Sequence, residues 1–291
     1  VSRDGTLWAM PYAVENIALI RNTSMVPDPP STMEELVAVG EEVVAGSGVT
    51  HVLALPMGMT GDAYHAYPIY ATGGGYLVRP GDPADVGVDS PGGITAFSKL
   101  RELGEHGRGV LLRSVTHDTA IPLFASERAA FLISGPWAVP RLRRAGTPYA
   151  VSPIPAFAGG PPATPLIGVP AAYLAKGGRN RELARHVLTE VLCRADVATL
   201  IYRAEPRPPA QPGMVADLDE DTTNFQEAGR HGVVMLSGPA MIRVFDVFGR
   251  AIAACVAGAP AESTALGAAR EIRRLLDVAP DAIPRPRNGA G

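Results

Sequence analysis

Residues 129–154 read AAFLISGPWAVPRLRRAGTPYAVSPI. The apolar run Ala129–Ile133 has the length of a buried strand, and Gly135-Pro136 breaks it at a corner. Trp137 follows, then a short helix, then a strand at Tyr149–Ile154. The corner offers one large ring with apolar faces and a polar edge, placed where it can project into a cleft. Such a ring suits a ligand with apolar faces and a polar rim, and it suits ordinary packing as well.

The pattern repeats on either side. Thr6–Pro11 and Asn16–Arg21 read as strands. In Ser31-Thr32-Met33-Glu34-Glu35 two capping boxes overlap, Ser31 with Glu34 and Thr32 with Glu35. Leu36, Val39 and Val43 then recur at helical spacing until Gly46. His51–Pro56 is a strand candidate, and Tyr64–Ala71 a helix stopped by Gly73-Gly74-Gly75. Ser90-Pro91 starts a helix whose buried stripe is Ile94, Phe97, Leu100 and Leu103. A short helix near Thr119–Ala125 leads into Ala129–Ile133. Downstream come a strand at Gly168–Ala175, a helix from Arg181 to about Leu192, a shorter one to about Arg203 and a linker at Pro206–Pro212. Helices are expected around Phe225–Gly229, Ala240–Ala257 and Glu262–Leu276, the last with Leu266, Ala269, Ile272 and Leu276 on one face. Alternation early and helices late argue an α/β fold.

Composition narrows the function classes. With 291 residues the chain can form two domains or one large one without disulfides. A net charge of −3 gives no reason to expect a nucleic acid or an anionic membrane as partner. Cys193 and Cys255 lie in helical patterns and read as buried free thiols. No run approaches the ~18 apolar residues of a membrane span. The opening Val1-Ser2-Arg3-Asp4-Gly5 is polar and turn-like, with no signal peptide visible. Gly-x-Ser-x-Gly, His-Glu-x-x-His and a phosphate loop ending in Gly-Lys-Ser/Thr are all absent. The histidines are scattered without i, i+4 pairs and read as surface or satisfied side chains, so neither a metal nor a cofactor is expected.

Three places hold residues whose placement asks for a reason. Glu15 sits between two apolar strand stretches, where a carboxylate is paired, exposed in a cleft, or used. Asp62 and Tyr64 follow the loop Met57–Gly61, Asp62 as a helix cap or a ligand contact. Phe245, followed by Asp246 and Phe248, reads equally as core packing or as a cleft aromatic.

Seven segments, in order, resemble one family. They are PYAVENIALIRN (Pro11–Asn22), PDPPSTMEEL (Pro27–Leu36), the pattern from Tyr67 to Gly74, Val86–Asp89, ISGPWA (Ile133–Ala138), Leu166–Val169 with the loop before it, and Asn180–Ala184. Together they are similar to the maltose- and maltodextrin-binding proteins, within the extracellular solute-binding proteins of bacterial ABC importers. The resemblance implies a two-lobed, periplasmic-binding-protein-like receptor that closes on a sugar between its lobes and docks on membrane permease subunits. It makes Glu15 and Asp62 acceptors for sugar hydroxyls, and Tyr64, Trp137 and Phe245 aromatic surfaces against the rings. Asp62 replaces the family's longer Glu, Phe245 its Trp and Asp246 a Tyr, while Gly249 stands where an Arg contributes. These departures keep carbohydrate as the ligand class without selecting maltose.

Set against the family, the chain starts late, and most of the first lobe is expected to be missing. The implied division is 1–13 as a remnant of lobe 1 and first crossover, 14–164 as lobe 2, 165–212 as a lobe 1 segment, 213–277 as lobe 2 helices and 278–291 as a disordered tail. An incomplete copy implies weakened binding, and an exposed apolar face along Val169–Ala175 and Arg181–Leu192. The complete protein is expected to be an extracytoplasmic monomer. Two other readings stand beside the receptor: a glycoside hydrolase using Glu15 and Asp62, and a degenerate fragment without function.

Overall fold

In the computed structural model, residues 1–3, 6–79, 82–235 and 238–277 are described; the tail expected at 278–291 lies outside them. Short ladders open the chain: β1 (Ser2–Arg3), β2 (Thr6–Leu7) and β3 (Ala9–Pro11). Strand β4 (Ala18–Asn22) follows, then helix α1 (Met33–Gly46), β5 (His51–Ala54) and α2 (Ala63–Thr72). Next are the hairpin β6 (Val78–Arg79) and β7 (Asp82–Val86), then α3 (Pro91–Leu103), α4 (His117–Ala125) and β8 (Ala129–Ser134). A 3-10 turn at Pro136–Ala138 leads into α5 (Val139–Ala145) and β9 (Tyr149–Ser152). The remainder is β10 (Leu166–Ile167), β11 (Ala171–Tyr173), α6 (Arg181–His186), α7 (Ala195–Ala204), α8 (Glu220–Ala228), β12 (Val233–Val234), α9 (Pro239–Val256) and α10 (Ala261–Asp277). The fold is α/β, as the alternation predicts.

The main sheet runs β5-β8-β4-β9, with β5 and β8 parallel and the other pairs antiparallel. Leu19 pairs with Ile133, and Ile20 with both Leu132 and Val151. Leu19, Leu53, Phe131 and Ile133 face one core with α1, α2, α3, α9 and α10. Ala18, Ile20, Leu132 and Val151 face a second core, built with Phe124 of α4, Leu142 of α5 and Phe225 of α8. Coverage on both faces explains why the central stretches Ala18–Ile20 and Ala129–Ile133 are apolar throughout rather than alternating. The larger core centres on Tyr70, whose ring lies 5.1 Å from Phe97 and 4.9 Å from Phe248, edge to face.

A thinner layer adjoins this body. Strand β3 pairs antiparallel with β11, and β10 pairs parallel with β12, each as a two-stranded sheet. The segments 12–15, 168–170 and 208–210 run side by side between the layer and the main sheet. Val14 N donates to Pro208 O at 2.7 Å, Tyr12 N to Pro170 O at 3.1 Å, and Glu15 N to Gly168 O at 2.9 Å. Tyr173 and Leu183, in the segments where an exposed apolar face is expected, are 69 and 63% exposed, and Trp8 and Leu200, outside those segments, are each 64% exposed.

Local chemistry accounts for most departures from the sequence expectations. Thr32 is the N-cap of α1, and Glu35 reaches back to the N–H and hydroxyl of Ser31. Glu34, the other box candidate, instead accepts from Ala158 N at 2.9 Å. The expected helix Arg181–Leu192 ends at His186 and continues as a π turn, Val187–Val191, where the Thr189 hydroxyl bonds back to Arg185 O. Strand β4 begins at Ala18, two residues later than expected, and buried Asn16 before it donates its side-chain N–H to Phe225 O, 3.0 Å away. Cys255 is a buried thiol, pushed up to about 11 by burial, but Cys193 is exposed beyond the π turn, contrary to expectation. Leu266, expected on the buried face of α10, is 43% exposed. The two-residue strand β12 has no periodicity to reveal it.

Arg143 ties α5 to α8 by donating to Asp219 and Asp221 at 2.9 and 2.7 Å, and to the Tyr149 hydroxyl at 3.1 Å. Burial opposes ionisation of Asp219, but hydrogen bonds from Thr222, Arg143 and Tyr202 outweigh it and hold the carboxyl at about 2, below its ordinary 3.8. The stabilisation is therefore complete above about pH 4 and is lost as pH falls toward 2. Urea midpoints for the wild type and Arg143→Gln should differ most at pH 7 and converge near pH 2. A gap unchanged at low pH would show that this ion pair is not the source.

Candidate functional site

The loop before α2 sets the site. Asp62 is the N-cap, accepting from His65 N at 3.0 Å, and its other oxygen meets His65 Nδ1 at 2.8 Å. Asp62 therefore does cap its helix, while also facing a cavity of about 640 Å³. Burial raises the Asp62 carboxyl, but the hydrogen bonds and charge of His65, with His117 beyond, hold it below the usual range. Tyr64, in the same turn, lines the cavity with Asp62, His117, Phe245, Asp246 and Arg250.

Tyr64 is the meeting point of the predicted residues. Its hydroxyl is buried without a hydrogen-bond partner among the described residues, and its pKa is raised by burial first and then by the charges of Glu15 and Asp62, with Arg207 opposing. Trp137 stacks behind it, the ring centroids 6.5 Å apart and the planes tilted by 39°. Trp137 is half-buried and folds back over Gly135, where a Cβ would come within 2.2 Å of the indole. The corner glycine thus lets the ring lie against the strand end, and Trp137 backs Tyr64 without itself lining the cavity. Glu15 is likewise set back: it forms an isolated bridge with Gly168, and its carboxylate is ion-paired with Arg207, which also pairs with Glu205.

Phe245 reaches the same cavity from α9. It is half-buried and lines both this cavity and a smaller, apolar one of about 290 Å³ beside Tyr67, Leu77 and Met241. The approach of α9 rests on two glycines. A Cβ on Gly61, whose φ is +79°, would lie 1.9 Å from Gly249 O, so loop and helix meet backbone to backbone. Gly249, which the resemblance leaves as a missing contact, is the place where α9 seats on the loop.

Residues 1–228 match the family described as "Bacterial extracellular solute-binding protein". The chain belongs to that family. It is 27% identical over 183 residues to the maltotriose-binding protein of Pyrococcus abyssi, covering 62% of this chain and 39% of the relative. It is 25% identical over 202 residues to the galactooligosaccharide-binding protein of Bacillus subtilis, covering 63% and 45%. The maltodextrin-binding protein MdxE of Bacillus subtilis matches at 25% over 189 residues, with the same coverage of 63% and 45%. The matched region spans less than half the length of each relative.

Asp62, Tyr64 and Phe245 thus line one cavity, while Trp137 lies beside Tyr64 and Glu15 acts on it by charge without lining the cavity. Sequence reasoning missed Arg207, His65, His117 and Arg250. Arg207 stands in a Pro-rich linker far from Glu15 in sequence, and His117 is distant from His65, so only the fold brings these pairs together.

Gly61→Ala should cost more than Gly58→Ala. Both glycines have positive φ, but a Cβ at Gly58 meets open space. Urea melts should give about 1–2 kcal/mol for Gly58→Ala and at least about 2 kcal/mol more for Gly61→Ala, through the added backbone clash. Equal costs would mean that the loop–helix approach is not tight.

Proposed function

We propose that this chain supplies one wall and the aromatic platform of an oligosaccharide-binding cleft, in the extracytoplasmic receptor of a bacterial ABC importer. Membrane permease subunits would be its docking partner. The observation that carries the reading is Tyr64, packed against Trp137, near the charges of Glu15 and Asp62, and lining one cavity with Asp62 and Phe245. Aromatic faces cover the C–H surfaces of sugar rings without demanding donors, and carboxylates accept paired hydroxyls. The names of the three relatives, which specify maltotriose, galactooligosaccharides and maltodextrin, support this ligand class.

The electrostatics favour binding over hydrolysis. A glycosidase needs a carboxyl that stays protonated near neutral pH to donate to the leaving group. Asp62 is shifted the other way, and Glu15 is held by Arg207. Both are arranged as fixed acceptors. No helix among the described residues is long and apolar enough to cross a membrane, which suits a receptor whose permease is a separate partner.

Calorimetric titration of the purified chain with maltotriose, a maltodextrin and a galactooligosaccharide tests the reading. Binding to at least one is expected. Asp62→Asn, which keeps a competent helix cap, should weaken it by roughly tenfold, as should Tyr64→Ala and Phe245→Ala, each about 1.4 kcal/mol. Absence of binding at ~10 mM sugar, a ligand free energy weaker than about −3 kcal/mol, would overturn the proposal. So would release of reducing ends on incubation.

A further inference from the structure

The six histidines have no metal-ligand spacing in sequence, yet the fold collects two of them with a carboxylate. Asp62, His65 and His117 each present one donor atom, and the three donors lie within 4.8 Å of one another. We propose that they form a binding site for a first-row divalent transition metal, Zn²⁺ or its neighbours Co²⁺ and Ni²⁺, at the edge of the cavity.

Four features carry this. Two imidazoles and a carboxylate are the borderline donor set that Zn²⁺ takes, and a hard cation such as Mg²⁺ does not. His65 is 3% exposed, so its imidazole is held in place by packing rather than left free in solvent. Its Nδ1 lies 2.8 Å from Asp62 Oδ2, so these two atoms already stand side by side and a single metal could take both, with Nδ1 as the His65 donor. His117 opens α4 from the opposite side, exposed to solvent, with its ring 5.7 Å from that of His65.

The geometry needs little rearrangement. Donors at about 2.0–2.1 Å from a tetrahedral metal stand about 3.4 Å apart. The existing spread therefore closes by roughly 1.4 Å or less, and exposed His117 is free to swing. Tyr64 and Trp137 pack beside His65, with centroids 5.3 and 6.3 Å away, and form an apolar shell behind the site. Asp62 and His117 line the cavity, so the remaining coordination position opens there, toward water or a ligand oxygen. The inference does not depend on the carbohydrate reading, since it rests on the positions of the three donors alone, although Asp62 is common to both.

The test uses the chelator-stripped chain in sugar-free buffer near neutral pH, titrated with ZnCl₂ by calorimetry and with CoCl₂ by visible absorption. One Zn²⁺ per chain at micromolar affinity is expected, together with the intense visible bands of four- or five-coordinate Co²⁺. His117→Ala, an exposed substitution that leaves the core intact, should weaken Zn²⁺ at least tenfold and bleach the Co²⁺ bands. A variant with His106, His186, His231 and Cys193 all replaced, each exposed and outside the cluster, should bind as the wild type does. Retained affinity in His117→Ala, or loss in the four-site variant, would assign the metal to adventitious surface ligands and overturn the proposal. No binding tighter than about 1 mM, near −4 kcal/mol, would overturn it as well.

Discussion

Ala18, Leu19 and Ile20 are fully buried, and β4 is hydrogen-bonded on both edges, so neither its faces nor its backbone has access to water. A strand in that position can shift register by one residue only by exchanging Leu19 and Ile20 between two different cores. Helices on both sides are then obligatory, and their placement follows from which face they cover. The chain enters β4 from Glu15 and Asn16, and the Asn16 side chain is pinned to α8. Fixing β4 therefore fixes where the crossover from the thinner layer meets the main body.

The site inherits its precision from that body. Tyr64 belongs to a helix that is buried along nearly its whole length and packs against α3 and α9. Trp137 sits at the end of β8, in contact with the same core. The polar groups around them are held by short-range pairs: Asp62 by its own helix N-terminus and His65, Glu15 by Arg207. Rigid aromatics with fixed acceptors form a preorganised surface, on which little conformational entropy remains to be lost when a ligand arrives.

The order of elements was legible because it follows from local rules. Apolar runs, caps such as Thr32 and Ser90, and the Gly135-Pro136 corner locate most strands and helices within a residue or two. The site was partly legible: Glu15, Asp62, Tyr64, Trp137 and Phe245 stand out as polar or aromatic residues in unusual settings, and the family resemblance ties them together. Their division of labour was not legible. That Trp137 backs Tyr64 instead of lining the cavity depends on how the indole folds over Gly135, a tertiary contact. Arg207 and His117 escaped because a charge in a linker and a histidine at a helix start look like solvated surface until a partner is brought to them. Short features failed for the same reason: β12 exists only because Val233 and Val234 lie beside Leu166 and Ile167.

The contact between Gly61 and Gly249 also limits how this cavity can change. A Cβ on Gly61 would lie 1.9 Å from the Gly249 carbonyl, so Gly61 cannot gain a side chain, and Gly249 has none left to remove in relief. Variation in ligand preference within this architecture is channelled to Phe245, Asp246 and Arg250, which face the cavity from the same helix. Diversifying those three positions while holding both glycines constant is accordingly the route by which the pocket can be redirected without unseating the helix that builds it.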